Sequence, residues 1–150
     1  MALTLNHYSI RSADLDACRR FYTEVLGLQV GPRPEFAFPG LWLYKGDTAV
    51  WANAVVHIIG TAPAPAPASD SPGDGLKDYL GARDDAAMKG TGVLDHVAFF
   101  ATGLAAMRAK LQRLGLVVRE RTVPGLGLHQ VFLNDPNGVV IELNYPAAEA

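Results

Sequence analysis

The sequence predicts an α+β fold of two tandem βαβββ modules whose strands form a curved mixed β-sheet around a cleft. Two observations predict it. The stretch LDHVAFFATGLAAMRAKLQRLG at 94–115 repeats the pattern of LNHYSIRSADLDACRRFYTEVLG at 5–27, and strand-like segments follow both copies. A spacer rich in proline and alanine separates the two copies. The first module is therefore expected over residues 1–59, the linker with a possible lid over 60–90, and the second module over 91–150.

Each copy opens with a strand that begins at a histidine and continues into an amphipathic helix. His96 follows His7 by 89 positions, and Leu104 follows Leu15 by the same distance. Both helices carry apolar residues at the spacing of one helix face, which must be buried against a sheet. These residues are Leu15, Cys18, Tyr22, Val25 and Leu26 in the first helix and Leu104, Met107, Leu111 and Leu114 in the second.

Ordinary start and stop signals flank both helices. Ser12 or Asp14 precedes the first helix and Thr102 precedes the second, and such side chains accept hydrogen bonds from the free N–H groups of a first turn. Gly27 and Gly115 follow the helices, where glycine adopts the left-handed conformation that ends a helix. Both helices are therefore delimited by the sequence itself.

Three segments with strand character follow each helix. They combine β-branched and aromatic residues and are separated by Gly, Pro, Asn and Asp. In the first module they are LQVGPRPEFAF, GLWLYKGD and AVVHIIG, and in the second they are LVVRERTV, HQVFLND and GVVIELNY. The DPNG segment at 135–138 predicts a tight turn that joins the last two strands in a hairpin.

The spacer has the composition of a linker. GTAPAPAPASDSPGDG at 60–75 favours extended polyproline II followed by a flexible tail. It could instead be a proline-rich ligand for another protein, but no basic residues flank it to orient a partner. The following LKDYLGARDDAAMKG at 76–90 predicts a short helix or a lid.

Composition excludes several classes of function. The 150 residues carry a formal net charge of −2 and no basic stripe, so no nucleic-acid partner is expected. No apolar run approaches the length of a membrane span, so no membrane association is expected. The single cysteine, Cys18, rules out an intramolecular disulfide and is typical of a reducing compartment. We expect a cytoplasmic protein.

Polar residues interrupt the apolar strands at two positions, and each position occurs twice. His7 and His96 stand in the opening strands, and His57 and Glu142 stand in the closing strands. Three imidazoles and one carboxylate suit a divalent first-row metal such as zinc, nickel, cobalt, iron or manganese. Taken singly, a histidine in an apolar strand is more often a core or rim residue whose hydrogen bonds are satisfied. The repetition at two equivalent positions favours a metal site.

These residues carry a resemblance to a known family. The opening strands LNHYSI and LDHVAF, the phrase FPGLWLYKGD followed by VHII, and the closing HQVFLNDPNGVVIELNY resemble the vicinal oxygen chelate superfamily. That group includes glyoxalase I, methylmalonyl-CoA epimerase, fosfomycin-resistance thiol transferases, extradiol dioxygenases and bleomycin-binding proteins. The resemblance implies metal ligation by His7, His57, His96 and Glu142. It also implies a homodimer in which the metal site lies within one chain or is shared between subunits.

The resemblance implies a metal-dependent glyoxalase-type lyase or isomerase. It would act on a small metal-chelating oxygenated substrate through an enediolate-like intermediate, with Glu142 moving a proton between adjacent carbons. At His57 the chain departs from glyoxalase I, which carries glutamate there. An alternative is an extradiol-type Fe(II) dioxygenase in which His129 acts as an acid or base. A second alternative is a non-catalytic small-molecule binding or resistance protein that uses the aromatic residues Phe36, Trp42, Tyr44 and Trp51.

Three further residues are candidates for substrate contact. Arg11 and Arg33 stand near strand ends, where a guanidinium could bind a substrate carboxylate or phosphate with two parallel hydrogen bonds. Trp42 could line the cleft with its ring. The alternative is that both arginines are solvated charges at the rim and that Trp42 packs the sheets together.

Overall fold

The computed structural model describes residues 5–36, 38–61, 90–91, 94, 96–123 and 126–150. The chain divides into two compact units, Met1–Met88 and Lys89–Ala150. Apart from residues 60, 61 and 90, the linker and lid predicted over 60–90 lie outside the described residues.

The first unit contains a four-stranded mixed sheet with the strand order β1-β4-β3-β2. Strand β1 runs parallel to β4, and the other neighbours are antiparallel. Strand β1 begins one residue after His7 rather than at it. The elements are β1 (Tyr8–Ser12), α1 (Leu15–Arg20), a π-helical turn (Phe21–Val25), β2 (Gln29–Gly31), β3 (Gly40–Tyr44), a 3₁₀ turn (Trp51–Asn53) and β4 (Ala54–Gly60).

The second unit repeats this topology with the strand order β5-β8-β7-β6. Strand β5 is parallel to β8, and the remaining pairs are antiparallel. The two sheets confirm the predicted βαβββ modules. The elements are β5 (Val97–Phe100), α2 (Leu104–Arg113), β6 (Arg119–Val123), β7 (Leu128–Asn134), β8 (Val140–Pro146) and a final 3₁₀ turn (Ala147–Glu149).

The strand pairing shows that the two modules correspond residue by residue. Ser9 of β1 pairs with His57 of β4, and in the second unit Ala98 of β5 pairs with Glu142 of β8. Ser9 and Ala98 are themselves 89 positions apart, as are the opening histidines. His57 and Glu142 therefore occupy equivalent places on the closing strands, as the sequence predicts.

The first helix is delimited largely as expected. The Asp14 side chain accepts a hydrogen bond from the N–H of Ala17 at 2.8 Å, which caps α1. Gly27 follows the π-helical turn with a φ of 74°, in the left-handed region that suits glycine. The apolar helix face is buried, with Cys18, Phe21, Tyr22 and Val25 all in the core.

The second helix starts differently from the prediction. Thr102 does not cap α2, because one carboxylate oxygen of Glu149 accepts hydrogen bonds from the N–H groups of Gly103 and Leu104, at 2.7 and 2.8 Å. A negative charge at this end is also favoured by the helix dipole. The capping group therefore comes from the chain terminus, 46 residues beyond Gly103. Gly115 ends the helix region with a φ of 65°, as predicted.

The DPNG segment forms the predicted turn between β7 and β8. One carboxylate oxygen of Asp135 accepts hydrogen bonds from the N–H groups of Asn137 and Val139, each at 2.8 Å. Gly138 has a φ of 82° and its N–H bonds to the Asp135 carbonyl. The turn fixes the register in which β7 presents its side chains beside β8.

In the described part of the chain, no helix combines the length and the apolar character needed to cross a membrane.

Candidate functional site

His57 lies on β4 between two other rings. The His7 ring stacks on it with a centroid distance of 3.7 Å and an angle of 22°. The Trp42 ring stacks on it at 3.8 Å and 4°. Two rings cannot occupy one face of an imidazole at these distances, so His57 is held between them. Trp42 is also its cross-strand partner on β3, and the stack therefore follows directly from the sheet register.

The Nε2 atom of His57 is buried and has no hydrogen-bond partner among the described residues. Burial and the nearby His7 lower the pKa of His57 to about 4, although a hydrogen bond to the Ala54 backbone acts in the opposite direction. The ring is therefore neutral near pH 7, with a lone pair available on one nitrogen. A buried nitrogen without a partner is uncommon in proteins, and a metal ion is one partner that could satisfy it.

His7 immediately precedes β1, and its Nδ1 atom pairs with the side-chain oxygen of Asn6. The face-to-face stack brings His7 and His57 together, but it does not aim both rings at a common point. For both to bind one ion, one of the two rings has to rotate out of the stack.

Glu142 lies on β8 and is 6% exposed. Its Oε1 atom accepts hydrogen bonds from the side-chain amides of Gln130, at 2.9 Å, and Asn144, at 2.7 Å. Its Oε2 atom lies 3.3 Å from Nε2 of His96. A buried carboxylate is costly unless it is paired, and among the described residues these partners are polar side chains of the same unit. His96 immediately precedes β5 and thus mirrors His7 in sequence position.

The two amides are themselves held in place. Gln130 receives a hydrogen bond from Nε of Arg121 at 2.7 Å and donates a second bond to the Asn144 oxygen at 3.0 Å. These bonds fix which end of each amide faces Glu142. Sequence reasoning missed Gln130 and Asn144. The available signal was that Asn144 follows Glu142 by two positions and so shares its face of the strand.

His129 lies on the other face of the second sheet. Side chains alternate along β7, and Gln130 faces Glu142, so its neighbour His129 points away. His129 contacts Glu120 through Nε2 at 2.8 Å and Thr122 through Nδ1 at 2.9 Å. Arg108 of α2 also bonds to Glu120, at 2.7 Å. The structure does not bring His129 together with Glu142, and its contacts tie α2 to the sheet.

The candidate substrate residues are placed differently from one another. Trp42 lies against His57 as described, and Arg11 shares that face of the sheet, because it stands two residues after Ser9 on β1. Arg33 instead donates a hydrogen bond to the Phe38 carbonyl at 2.8 Å. Its guanidinium lies over the Phe36 and Phe38 rings at 5.4 and 5.5 Å, and burial lowers its pKa. Arg33 thus orders the segment between β2 and β3.

The four candidate ligands form two pairs, His7 with His57 and His96 with Glu142. Among the residues that the structure describes, no three His, Cys, Asp or Glu side chains come together in a position to hold a metal. The donor chemistry of the four residues fits a divalent first-row ion, and the bare nitrogen of His57 fits a metal ligand.

Comparisons with known proteins show which family the sequence and the fold resemble. The family model of the Glyoxalase/Bleomycin resistance protein/Dioxygenase superfamily matches residues 4–143. Glyoxylase I 4 of Arabidopsis thaliana is 26% identical over 143 residues, which are 93% of this chain and 69% of the relative. Mitochondrial methylmalonyl-CoA epimerase of Bos taurus is 27% identical over 146 residues, covering 93% and 72%. The crystal structure of lactoylglutathione lyase from Agrobacterium tumefaciens is similar in fold, with a TM-score of 0.59, 19% identity and coverage of 95% and 92%.

The contacts of His129 predict a pH-dependent contribution of Glu120 to stability. The hydrogen bond from Arg108 lowers the pKa of Glu120 below its ordinary 4.5, burial opposes this, and the bond to His129 adds to the lowering. A carboxyl group with a lowered folded-state pKa stabilises the fold above its ordinary pKa and loses that effect as the pH falls through the folded-state pKa. Glu120→Gln should therefore reduce the free energy of unfolding at pH 7 by at most about 1 kcal/mol, since the pair is partly exposed.

Urea unfolding at pH 7 and pH 3 measures this difference. The variant and the native protein should differ at pH 7, and the difference should be smaller at pH 3, because the effect is lost as the pH falls through the folded-state pKa of Glu120. Glu24→Gln, at an exposed position, serves as the control. Equal stability at pH 7 would contradict the structural role of this network.

Proposed function

Because this chain belongs to the glyoxalase/bleomycin resistance protein/dioxygenase superfamily, we propose that it is a metal-dependent lyase or isomerase of the glyoxalase type. Its substrate is a small oxygenated molecule that chelates a divalent first-row ion through adjacent oxygens. One observation carries the proposal. The closing strand of the first unit carries a buried imidazole nitrogen that has no hydrogen-bond partner among the described residues, and that of the second carries a buried carboxylate with one oxygen fixed by amides. We call these the imidazole half-site and the carboxylate half-site.

The imidazole half-site supports metal ligation in four ways. Nε2 of His57 is buried without a partner, so an ion would satisfy it. The ring stays neutral at physiological pH, which a ligand nitrogen requires. Its hydrogen bond to the Ala54 backbone matches the usual arrangement of metal-bound histidines, which donate their second N–H to a carbonyl or carboxylate. Trp42 keeps the ring plane fixed by stacking.

The carboxylate half-site supports both ligation and proton transfer. Gln130 and Asn144 occupy Oε1 of Glu142, and Oε2 faces His96. We propose that Oε2 is the reactive oxygen. When bound, the ion supplies Lewis-acid polarisation of a substrate carbonyl. Glu142 then takes a proton from the carbon beside that carbonyl and returns it to the adjacent carbon. The amides keep the carboxylate oriented throughout this transfer.

The division of ligands between two units has a consequence for assembly. His7 and His57 must meet His96 and Glu142, either within one chain or across a homodimer. We propose a homodimer, which allows both arrangements, and a small molecule as the ligand. Light scattering at micromolar concentration measures the oligomeric state. If the protein is strictly monomeric and still binds its metal fully, a metal site shared between two chains is excluded.

The test of the proposed function is Glu142→Gln, assayed with hemithioacetals of α-oxoaldehydes and with epimerisable thioesters. The substitution keeps the shape of the side chain and removes the base, so turnover should fall by about 10²- to 10⁴-fold. Incorporation of solvent deuterium into the product should fall in parallel. Circular dichroism and thermal unfolding serve to verify that the variant is folded.

Other outcomes of the same assays oppose the proposal. Full turnover by Glu142→Gln would remove the carboxylate from the mechanism. Oxygen uptake with catechols after Fe(II) loading would support an extradiol-type dioxygenase instead. Ligand binding without turnover, in a protein that takes up no metal, would support a binding or resistance protein.

A second prediction concerns Gln130, which contacts Glu142 without belonging to the proposed ligand set. Gln130→Leu removes one of the two donors to Oε1 and leaves the carboxylate less well oriented. Replacing such partners of metal ligands commonly lowers metal affinity by about 10- to 100-fold. Competition against a chromogenic chelator measures the change. Gln112→Leu, on the exposed side of α2, is the matched control and should leave the affinity unchanged. Unaltered affinity in Gln130→Leu would show that the amide does not orient Glu142 for a metal.

A further inference from the structure

The second unit contains a hollow of about 510 Å³ beside the carboxylate half-site. This volume lies within the range of about 300 to 1,000 Å³ that is typical of small-molecule sites. Its walls are mainly apolar, and they comprise Leu116, Val117, Val118, Arg119, Phe132, Leu133, Asn134 and Val140.

The hollow lies on the same face of the sheet as Glu142. Phe132 is the cross-strand partner of Glu142 on β7, and Val140 precedes Glu142 by two residues on β8, so both side chains point to the side of the carboxylate. Phe132 also lies edge-on to the His96 ring at 6.3 Å. A molecule in this hollow would therefore reach towards His96 and Glu142 across the Phe132 ring.

Arg119 is the one charged side chain in the wall of this hollow. Its guanidinium lies over the Phe132 ring, 4.1 Å from the ring centroid, at the distance of a cation–π contact. In the described ranges of the chain, no carboxylate or carbonyl bonds to this guanidinium. Arg121, whose guanidinium also lies near Phe132, is engaged because it donates to Gln130. Arg119 thus combines a fixed position with unused donors.

We propose that this hollow binds the non-reacting part of the substrate, and that this part is an apolar group ending in a carboxylate that Arg119 contacts. The inference rests on the proposed function, since it takes Glu142 as the reacting end of the site. Apolar walls favour a hydrocarbon or aromatic body. A single guanidinium balances the single charge of a carboxylate and matches its two oxygens with parallel N–H donors. Arg119 is accordingly the residue that selects an anionic over a neutral substrate.

The experiment compares two probes that differ only at the polar end, 3-phenylpropanoate and its neutral amide 3-phenylpropanamide. Binding to the full chain is followed by NMR titration, which reports affinity and location together. The native protein should bind the carboxylate about tenfold more tightly, as expected for a charge-assisted hydrogen bond. Backbone amide signals of Val117, Arg119 and Phe132 should shift on titration. Arg119→Gln should abolish the preference and leave amide binding unchanged.

Two controls sharpen the result. Arg113→Gln changes the net charge equally at an exposed position on α2 and should keep the full preference. The titration is performed on protein as purified and again after chelator treatment, because a bound metal could itself attract a carboxylate. A preference that disappears after chelation, or survives in Arg119→Gln, would overturn the assignment of Arg119. Equal binding of both probes by the native protein, or shifts confined to other residues, would do the same.

The outcome is separable from that of the proposed function. If the native protein takes up metal but shows no preference for the carboxylate probe, only the assignment of the hollow as a carboxylate subsite is overturned. Preference retained in a chain that takes up no metal overturns the metal-dependent mechanism alone.

Discussion

The burial of one carboxylate organises the second half of this protein. Glu142 is almost inaccessible to solvent on the closing strand, and an unpaired charge there would cost several kcal/mol. The sheet register solves this by placing Gln130 and Asn144 around Oε1 and leaving Oε2 for His96. The tight turn at 135–138 sets that register, so a local turn sequence determines the hydrogen bonds of a residue in the middle of a strand.

The first half uses the equivalent position in a different way. His57 stands where Glu142 stands, but it is neutral and is flanked by rings rather than amides. The two half-sites are therefore chemically complementary: one offers a bare nitrogen and the other an oriented negative charge. Under the proposed function, a divalent cation would bond to the nitrogen and neutralise the carboxylate.

Sequence patterns predicted the parts of this structure that depend on short-range order. The repeated strand and helix, the glycine at the end of each helix and the hairpin turn follow from residues within a few positions of one another. The contacts that sequence reasoning missed depend on strands or termini far apart in the chain. Glu149 replaces Thr102 at the start of α2 from 46 residues beyond Gly103. His129 is polar, like its neighbour Gln130, but the alternation of strand side chains sends the two to opposite faces.

The roles of the arginines also depend on contacts that the sequence alone does not show. Arg33 has the sequence surroundings of an anion-binding residue, yet its guanidinium is committed to the Phe38 carbonyl and to two rings in the same segment. Arg119 lies on an edge strand with no feature that distinguishes it in the sequence. Its position over Phe132, beside an apolar hollow, becomes evident only once β6 and β7 are paired.

We propose that one metal ion is held jointly by the two half-sites, and metal content per chain tests this proposal most directly. Elemental analysis of protein purified without an affinity tag or chelator should find about one first-row ion per chain. The ion should be lost when either half-site is broken, by His57→Ala in the first unit or by Glu142→Ala in the second. Glu120→Gln, which alters a carboxylate on the opposite face of the second sheet, should retain it. Full metal content in either alanine variant, or no uptake by the native chain after reloading, would contradict the account.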